Sequence, residues 1–578
     1  MIPAPDHSAH RPSYRDRIAI APGNPRIAYR PGRATTSGRG GQRELARLLG
    51  VDVRPLEYLE SLDPEEITDE DRERADEAQR AVDERVPSIF QWASEDDPQR
   101  AFAKLLGLDV RPLEYLESLD PEEITDEDRE RADEAQQAVD ERVPSTSDWL
   151  SDPIVAELRG ENGPDEWFGA DDVDDAPAVV QRLRQGGYPG ELNIVYFAND
   201  TRCCGVCPPH PAIGAALAAN PFSANPYSAN PYSANPYSAN PYSANPYSAN
   251  PYSANPYSAN PYSANPYSAN PYSANAESLN VAATGKPPMS SVLPARQQAI
   301  TPGPSTDRSE IVIGVLDSGL AGGRHDHDHL RPKELGTDKP ALKRISGHKD
   351  HPSQDGDRYL DPVAGHGTFI AGIIEQLTPG CTIEVRKVFE PEGDVDAEHL
   401  FWELLILMSV KKPTIVNFSF AGTGTGTTLF ESLIGFLHRL PIIDVVFVGS
   451  AGNEGTCVEQ FPAALPEVIA VAALSPDGPA PWSNYGPWVD ACAPGTDLVS
   501  AFFAEFDGAL PPINGVDTDN FVQWATWSGT SFAAPVVVAA LARDMPTGPN
   551  PSARHAVERV IRAPHLARFP NMGTIVNY

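Results

Sequence analysis

Four residues in the second half of this 578-residue chain have types and surroundings suited to nucleophilic chemistry: Asp317, His366, Asn453 and Ser531. A serine hydroxyl becomes a nucleophile when a base takes its proton and a carboxylate holds that base in the right tautomer. Asp317 closes the apolar run IVIGVLDSG, His366 sits between two glycines in GHGTFIAGIIEQL, and Ser531 opens SGTSFAAPVVVAAL. Singly, each has an ordinary reading: a turn aspartate, a capping or packing histidine, an N-cap serine. Together they supply nucleophile, base and orienting acid. Asn453, in VGSAGNEG, adds a side-chain amide that can donate to a developing oxyanion. A helix start beneath Ser531 would aim N–H dipoles at the same charge.

The elements that must position these residues follow from the pattern after about residue 309. Apolar strand-like runs (IVIGVLDSG, EVRKVF, TIVNFSFAG, DVVFVGSAGN, VIAVAAL) alternate with helical stretches such as AEHLFWELLILMSV and GTTLFESLIGFLHRL. Such alternation predicts an α/β fold whose parallel sheet is covered on both faces. Sites in these sheets lie at the carboxyl ends of the strands, where the strand order reverses. Asp317 and Asn453 both fall at or just past a predicted strand end.

The segments LDSGL, GHGTFIAG, SAGNEG and GTSFAAP resemble, in order, the four signature blocks of the subtilase family of serine proteases. The Asp-His-Ser order is also that of subtilisin. SNYGPWVDACAPG (483–495) and NMGTIVNY are similar to further family segments, so the resemblance covers 309–578. It implies a subtilisin-like parallel sheet and a serine endopeptidase working through an acyl-enzyme. Ser531 would attack the scissile carbonyl, His366 shuttle the proton and Asp317 orient His366. The Asn453 amide and the Ser531 N–H would form the oxyanion hole. Substrate would bind as an added strand along Ser419, Phe420 and Ala421, with Ser450, Ala451 and Gly452 as the other wall of the specificity pocket. Ala421 stands where the family usually has glycine, and its methyl would narrow that pocket. The rival reading is an inactive scaffold that uses the same fold for binding.

No cofactor is required by this chemistry. Three clusters offer metal-ligating side chains, with solvated loops and free thiols as the simpler readings. Asp317 and His366 are 49 positions apart, and the interval holds His325, His327 and His329 as well as Asp355, Asp357 and Asp361, spaced a little like a calcium loop. Cys203, Cys204 and Cys207 with His210 offer ligands for zinc in principle, though without well-separated pairs.

The first half is built from repeats. Residues 48–88 recur at 105–145, a period of 57, with only Val51/Leu108 and Arg80/Gln137 changed. Each copy predicts one or two short, weakly packed helices, one capped by Thr68 and striped with Ala75, Ala78 and Val82. From Asn220 to Ala274 the chain reads NPFSA once and NPYSA ten times. Proline at every fifth position rules out a helix or central strand and predicts a disordered tether. PAVVQRLRQ and GELNIVYFA read as a helix and a strand, as RIAIA and RIAYRPG read as strands. The expected organisation is therefore an N-terminal segment (1–43), acidic repeats (44–150), a small α/β segment (151–216), the repeat linker (217–275), a further linker (276–308) and the peptidase domain (309–578). Residues 1–216 would form a unit separate from the peptidase. That unit suits either of two roles, an inhibitory propeptide in the cleft or a recognition domain for a partner protein. The acidic repeats and the tether favour recognition.

A formal charge of −35 and an acidic block between about 57 and 175 argue against nucleic acid or anionic membrane as partners and leave protein or peptide substrate. No run of about 18 apolar residues and no signal-peptide core is present, and the six cysteines form no dense framework, which together predict a cytoplasmic protein.

Overall fold

The computed structural model describes residues 19–20, 28–63, 67–94, 97–106, 108–118, 124–144, 149, 151–158, 167–198, 293–294, 307–321, 345–354, 356, 358–389, 393–422, 428–440, 443–509, 519–546 and 552–577. The NPYSA tract, the Cys203–Cys207 cluster with His210, the His325–His329 run, Asp355 and Asp357 lie outside them. The chain divides into two compact units. One takes in Met1–Tyr196, Val395–Lys412 and Gly424–Phe436; the other takes in Phe197–Asp394, Pro413–Thr423 and Leu437–Tyr578. Neither unit coincides with residues 1–216 or 309–578. The first unit borrows two segments from the C-terminal half, because side chains there, such as Trp402 and Glu403, are buried against N-terminal ones.

In the first unit, strand β1 (Ala28–Ser37) pairs antiparallel with β2 (Trp167–Val173) and with β3 (Glu191–Ala198). Helices α1 (Gly38–Leu48) and α2 (Ala176–Gln185) contribute Leu45, Ala46, Val180 and Leu183 to its core. The repeats lie between α1 and β2. The first copy contains helices Arg54–Ser61 and Asp69–Arg85, and the second contains Arg111–Ser118 and Asp126–Arg142. Thr68 and Thr125 close matching capping boxes with Asp71 and Asp128. Packing is tighter than expected: Val82 is fully buried, and Ala75, Ala78 and Val82 join the same core as β1 and β2. The thin apolar stripe suffices because its small side chains let the helix approach closely.

The second unit is a sheet whose central strands run parallel. Its order is Gly573–Ile575, Ala491–Pro494, Val468–Ser475, Val446–Ser450, Ile415–Phe418, Arg308–Asp317, Cys381–Lys387, Ile345–Gly347. Arg308–Asp317 comes first in sequence yet lies between strands added later on either side, so the order reverses beside it. The carboxyl ends that meet there deliver Asp317, Ser419 and the loop after Ser450. Helices His366–Leu377 and Thr530–Asp544 are buried along almost their whole length. Both therefore read as apolar all round rather than amphipathic. Cys381 and Cys492 are buried thiols in this sheet, and burial pushes Cys492 up to about 12.

Candidate active site

Asp317 ends the central strand, and its Oδ1 lies 2.8 Å from His366 Nδ1 with both side chains fully buried. The Ser318 N–H donates to the same oxygen at 2.8 Å. His366 opens its helix after Gly365, whose φ of +78° lies in the left-handed region. A Cβ on Gly365 would strike the Phe502 ring, and one on Gly367 would strike the Gly319 carbonyl. The glycines that bracket the histidine thus let the Asp317 turn and the helix start meet. Burial of the pair fixes the imidazole: Nδ1 faces a carboxylate, and among the described residues Nε2 has no hydrogen-bond partner. The ring packs against Trp527 and against Phe532, the neighbour of Ser531, at 5.2 and 5.1 Å.

Ser531 lies in the first turn of Thr530–Asp544. Pro535, four residues on, has no N–H to give the Ser531 carbonyl. Ser419 Oγ takes that place, donating to Ser531 O at 2.8 Å, while Ser531 Oγ donates to Ser419 O at 3.2 Å. Asn417 Nδ2 donates to Ser419 Oγ at 2.8 Å. The edge residues Ser419, Phe420 and Ala421 are thereby stitched to the helix that carries Ser531.

Asn453 follows the Val446–Ser450 strand through buried Ala451 and Gly452, which has a φ of +99°. Its side-chain oxygen accepts from Thr530 N and Thr530 Oγ1, each at 2.9 Å. With the oxygen so held, the donor end of the amide is turned away from Thr530. Thr530 Oγ1 also accepts from the Gly452 N–H at 3.1 Å. Asn484, fully buried, braces the same loop by donating to Ala451 O and accepting from Glu454 N and Thr456 N. Ser450, Ala451 and Gly452 lead into this loop, and Phe420–Ala421 is a short strand just after Ser419.

That strand is paired. Phe420 faces Ala198 and Ala421 faces Phe197 in an antiparallel register, and the Ala198 N–H donates to Gly393 O at 2.9 Å. An extended segment thus lies between two backbone rails, one of them adjoining Ser419.

Sequence comparison matches residues 308–563 to the Subtilase family. Similar curated proteins include an extracellular protease of Xanthomonas campestris pv. campestris, 25% identical over 44% of this chain and 47% of that protein. A thermophilic serine proteinase of Bacillus sp. (strain AK1) is 30% identical over 32% of this chain and 47% of its own. The chain spans about half the length of the curated relatives it matches. A solved structure of a cold-adapted subtilisin-like serine proteinase is 20% identical, covering 49% of this chain and 92% of that one, with a TM-score of 0.34.

Four further residues brace the candidate site: Asn417, Asn484, Thr530 and Asp350; Asn484 and Thr530 lie within SNYGPWVDACAPG and GTSFAAP, but the role of none of the four follows from the sequence pattern. Asp350 is buried; its Oδ2 accepts from Ser318 Oγ at 2.9 Å and Gly365 N at 2.7 Å, and its Oδ1 from His351 N at 2.9 Å. Ser318 Oγ in turn accepts from Gly367 N at 3.0 Å. One carboxylate thus ties the residue after Asp317 to both neighbours of His366. Burial raises Asp350 to about 6, against the pull of Lys387. Among the described residues no group of three metal-ligating side chains gathers; Asp361 instead accepts the Gln354 N–H at 3.0 Å.

Proposed function

We propose that this chain is a serine endopeptidase that hydrolyses peptide bonds through an acyl-enzyme, with Asp317, His366 and Ser531 as its triad. The buried His366–Asp317 pair at 2.8 Å inside a subtilase domain carries the reading. A desolvated carboxylate on Nδ1 stabilises the imidazolium that forms as Nε2 takes the serine proton. Asn453 and the Ser531 N–H stabilise the oxyanion, and Ser419, Phe420, Ala421, Ser450, Ala451 and Gly452 receive the substrate strand. Purified protein labels with a fluorophosphonate probe, and Ser531→Ala abolishes labelling; folded protein that stays unlabelled both as the wild-type chain and as the Ala198→Pro variant supports the scaffold reading instead.

Of the two roles open to the N-terminal region, the inhibitory one is favoured by the register of Phe197 and Ala198 on Phe420 and Ala421. Those are the backbone groups a substrate strand would use, so the enzyme carries its own competitor. Proline at 198 removes the N–H given to Gly393 O. Ala198→Pro accordingly raises the rate of probe labelling in the full chain. An unchanged rate returns the N-terminal region to partner recognition.

A further inference from the structure

The duplication behaves differently in its two copies. The 57-residue alignment extends a few positions upstream of 48–88 and 105–145, and these flanks are counted with their copies: Leu45 corresponds to Phe102, Arg43 to Arg100 and, within the repeat, Arg85 to Arg142. The pairs that hold each module together are repeated: Arg43–Glu60 matches Arg100–Glu117, and Asp52–Arg54 matches Asp109–Arg111. The outward contacts are not repeated. In the first copy, Leu45 enters the core of its own sheet, and Arg85 donates to Asp171 O on β2 at 2.8 Å. In the second copy, Phe102 stacks on Trp149 at 4.9 Å and meets Trp402 edge-on at 5.0 Å. Arg142 pairs at 2.7 Å with Glu403, whose side chain is fully buried. The Trp149 indole N–H donates to Ser409 Oγ at 2.6 Å, and Lys412 lies 3.1 Å from Asp152.

Trp402, Glu403 and Ser409 belong to the helical stretch that starts at Ala397, immediately after the Asp394–Asp396 strand. That strand follows Gly393, the rail that receives the Ala198 N–H. β3 pairs with the Asp394–Asp396 strand along the same path.

We propose that the second repeat copy is a clamp, fastening the N-terminal region to the helix beyond the Gly393 rail and so keeping Phe197 and Ala198 seated on the substrate edge. This rests on the inhibitory reading above and adds what supplies the grip. The first copy packs on β1 and β2; the second packs, within the same unit, on the Val395–Lys412 segment through one aromatic cluster and an ion pair whose glutamate is buried. Truncating one partner of a buried, hydrogen-bonded charge pair costs enough to shift an equilibrium at least tenfold.

The test is the rate of fluorophosphonate labelling of Ser531 in the full chain. The clamp variants are Phe102→Leu, which installs the first copy's residue, and Arg142→Gln. Arg74→Gln, at an exposed pair with Glu70 in the first copy, is the control. Ala198→Pro reports strand release independently. The clamp is supported if Phe102→Leu and Arg142→Gln each speed labelling about tenfold or more while Arg74→Gln does not. It is overturned, with the inhibitory reading intact, if only Ala198→Pro speeds labelling. It falls together with that reading if Ala198→Pro also leaves the rate unchanged. Should Arg142→Gln lose its cooperative melt, Phe102→Leu alone decides.

Discussion

Asn453 has its amide oxygen held by two groups of Thr530, so its donor end is set before substrate arrives. Preorganised donors of this kind act on the transition state more than on the bound substrate. Asn453→Ala is expected to lower kcat by about 10² to 10³ with little change in KM; a change confined to KM would assign the residue to substrate binding. Asp350 makes a second prediction at this scale. Its carboxyl, raised to about 6 by burial, keeps its proton to higher pH in the native state than in the unfolded one. The native state therefore loses relative stability as pH rises through that window and levels off above it. Against Asp350→Asn, in a Ser531→Ala background that prevents autolysis, unfolding free energy should fall by about 2 kcal/mol between pH 4 and 7. Parallel pH profiles for the two proteins would show that Asp350 is not the titrating group. The candidate triad is legible in the sequence because glycines and small residues mark close backbone approach. Asp350, Asn484 and Thr530 are not, since each acts through contacts with distant parts of the chain; Asn417 braces Ser419 two positions away, but nothing in the apolar run TIVNFSFAG marks it.

The elements read unevenly for a related reason. Parallel strands buried on both faces announce themselves as apolar runs, and the helix starts at His366 and Ser531 follow from the same motifs. In the acidic repeats, packing rests on Ala75, Ala78 and Val82 within a strongly charged helix, so pattern alone undervalues it. The pairing of β3 with Phe420–Ala421 lay beyond reach, because register between segments more than 200 positions apart leaves no local trace. The helix caps of the two copies give a direct comparison. Thr68 and Thr125 make the same capping box, but among the described residues the core of β1 and β2 takes its repeat side chains from the first copy. Thr68→Ala should lower the melting temperature of the first unit by about 2–4 °C. Equal effects of Thr68→Ala and Thr125→Ala on that transition would mean that the two copies support the unit alike.

At the scale of the whole molecule, the first unit is completed by Val395–Lys412 and Gly424–Phe436, so its integrity depends on sequence far from its own. A site for a specific protease inserted in the NPYSA tract of the Ser531→Ala protein allows the chain to be cut there. The two fragments should then co-elute in gel filtration without denaturant; separate elution would deny that the Arg142–Glu403 pair and the Phe102–Trp402 contact hold the unit together. Among the described residues no helix is long and apolar enough to cross a membrane.

Cys381 and Cys492 lie on strands of the parallel sheet, and the Cys492 thiol gives up its proton only at about 12. A thiol so placed reacts with an alkylating reagent only when its strand opens. The sheet therefore contains its own clock: the pace at which these two positions are alkylated, mapped by mass spectrometry, measures how often the sheet breathes, in a molecule whose Ser531 can at the same time be replaced by alanine.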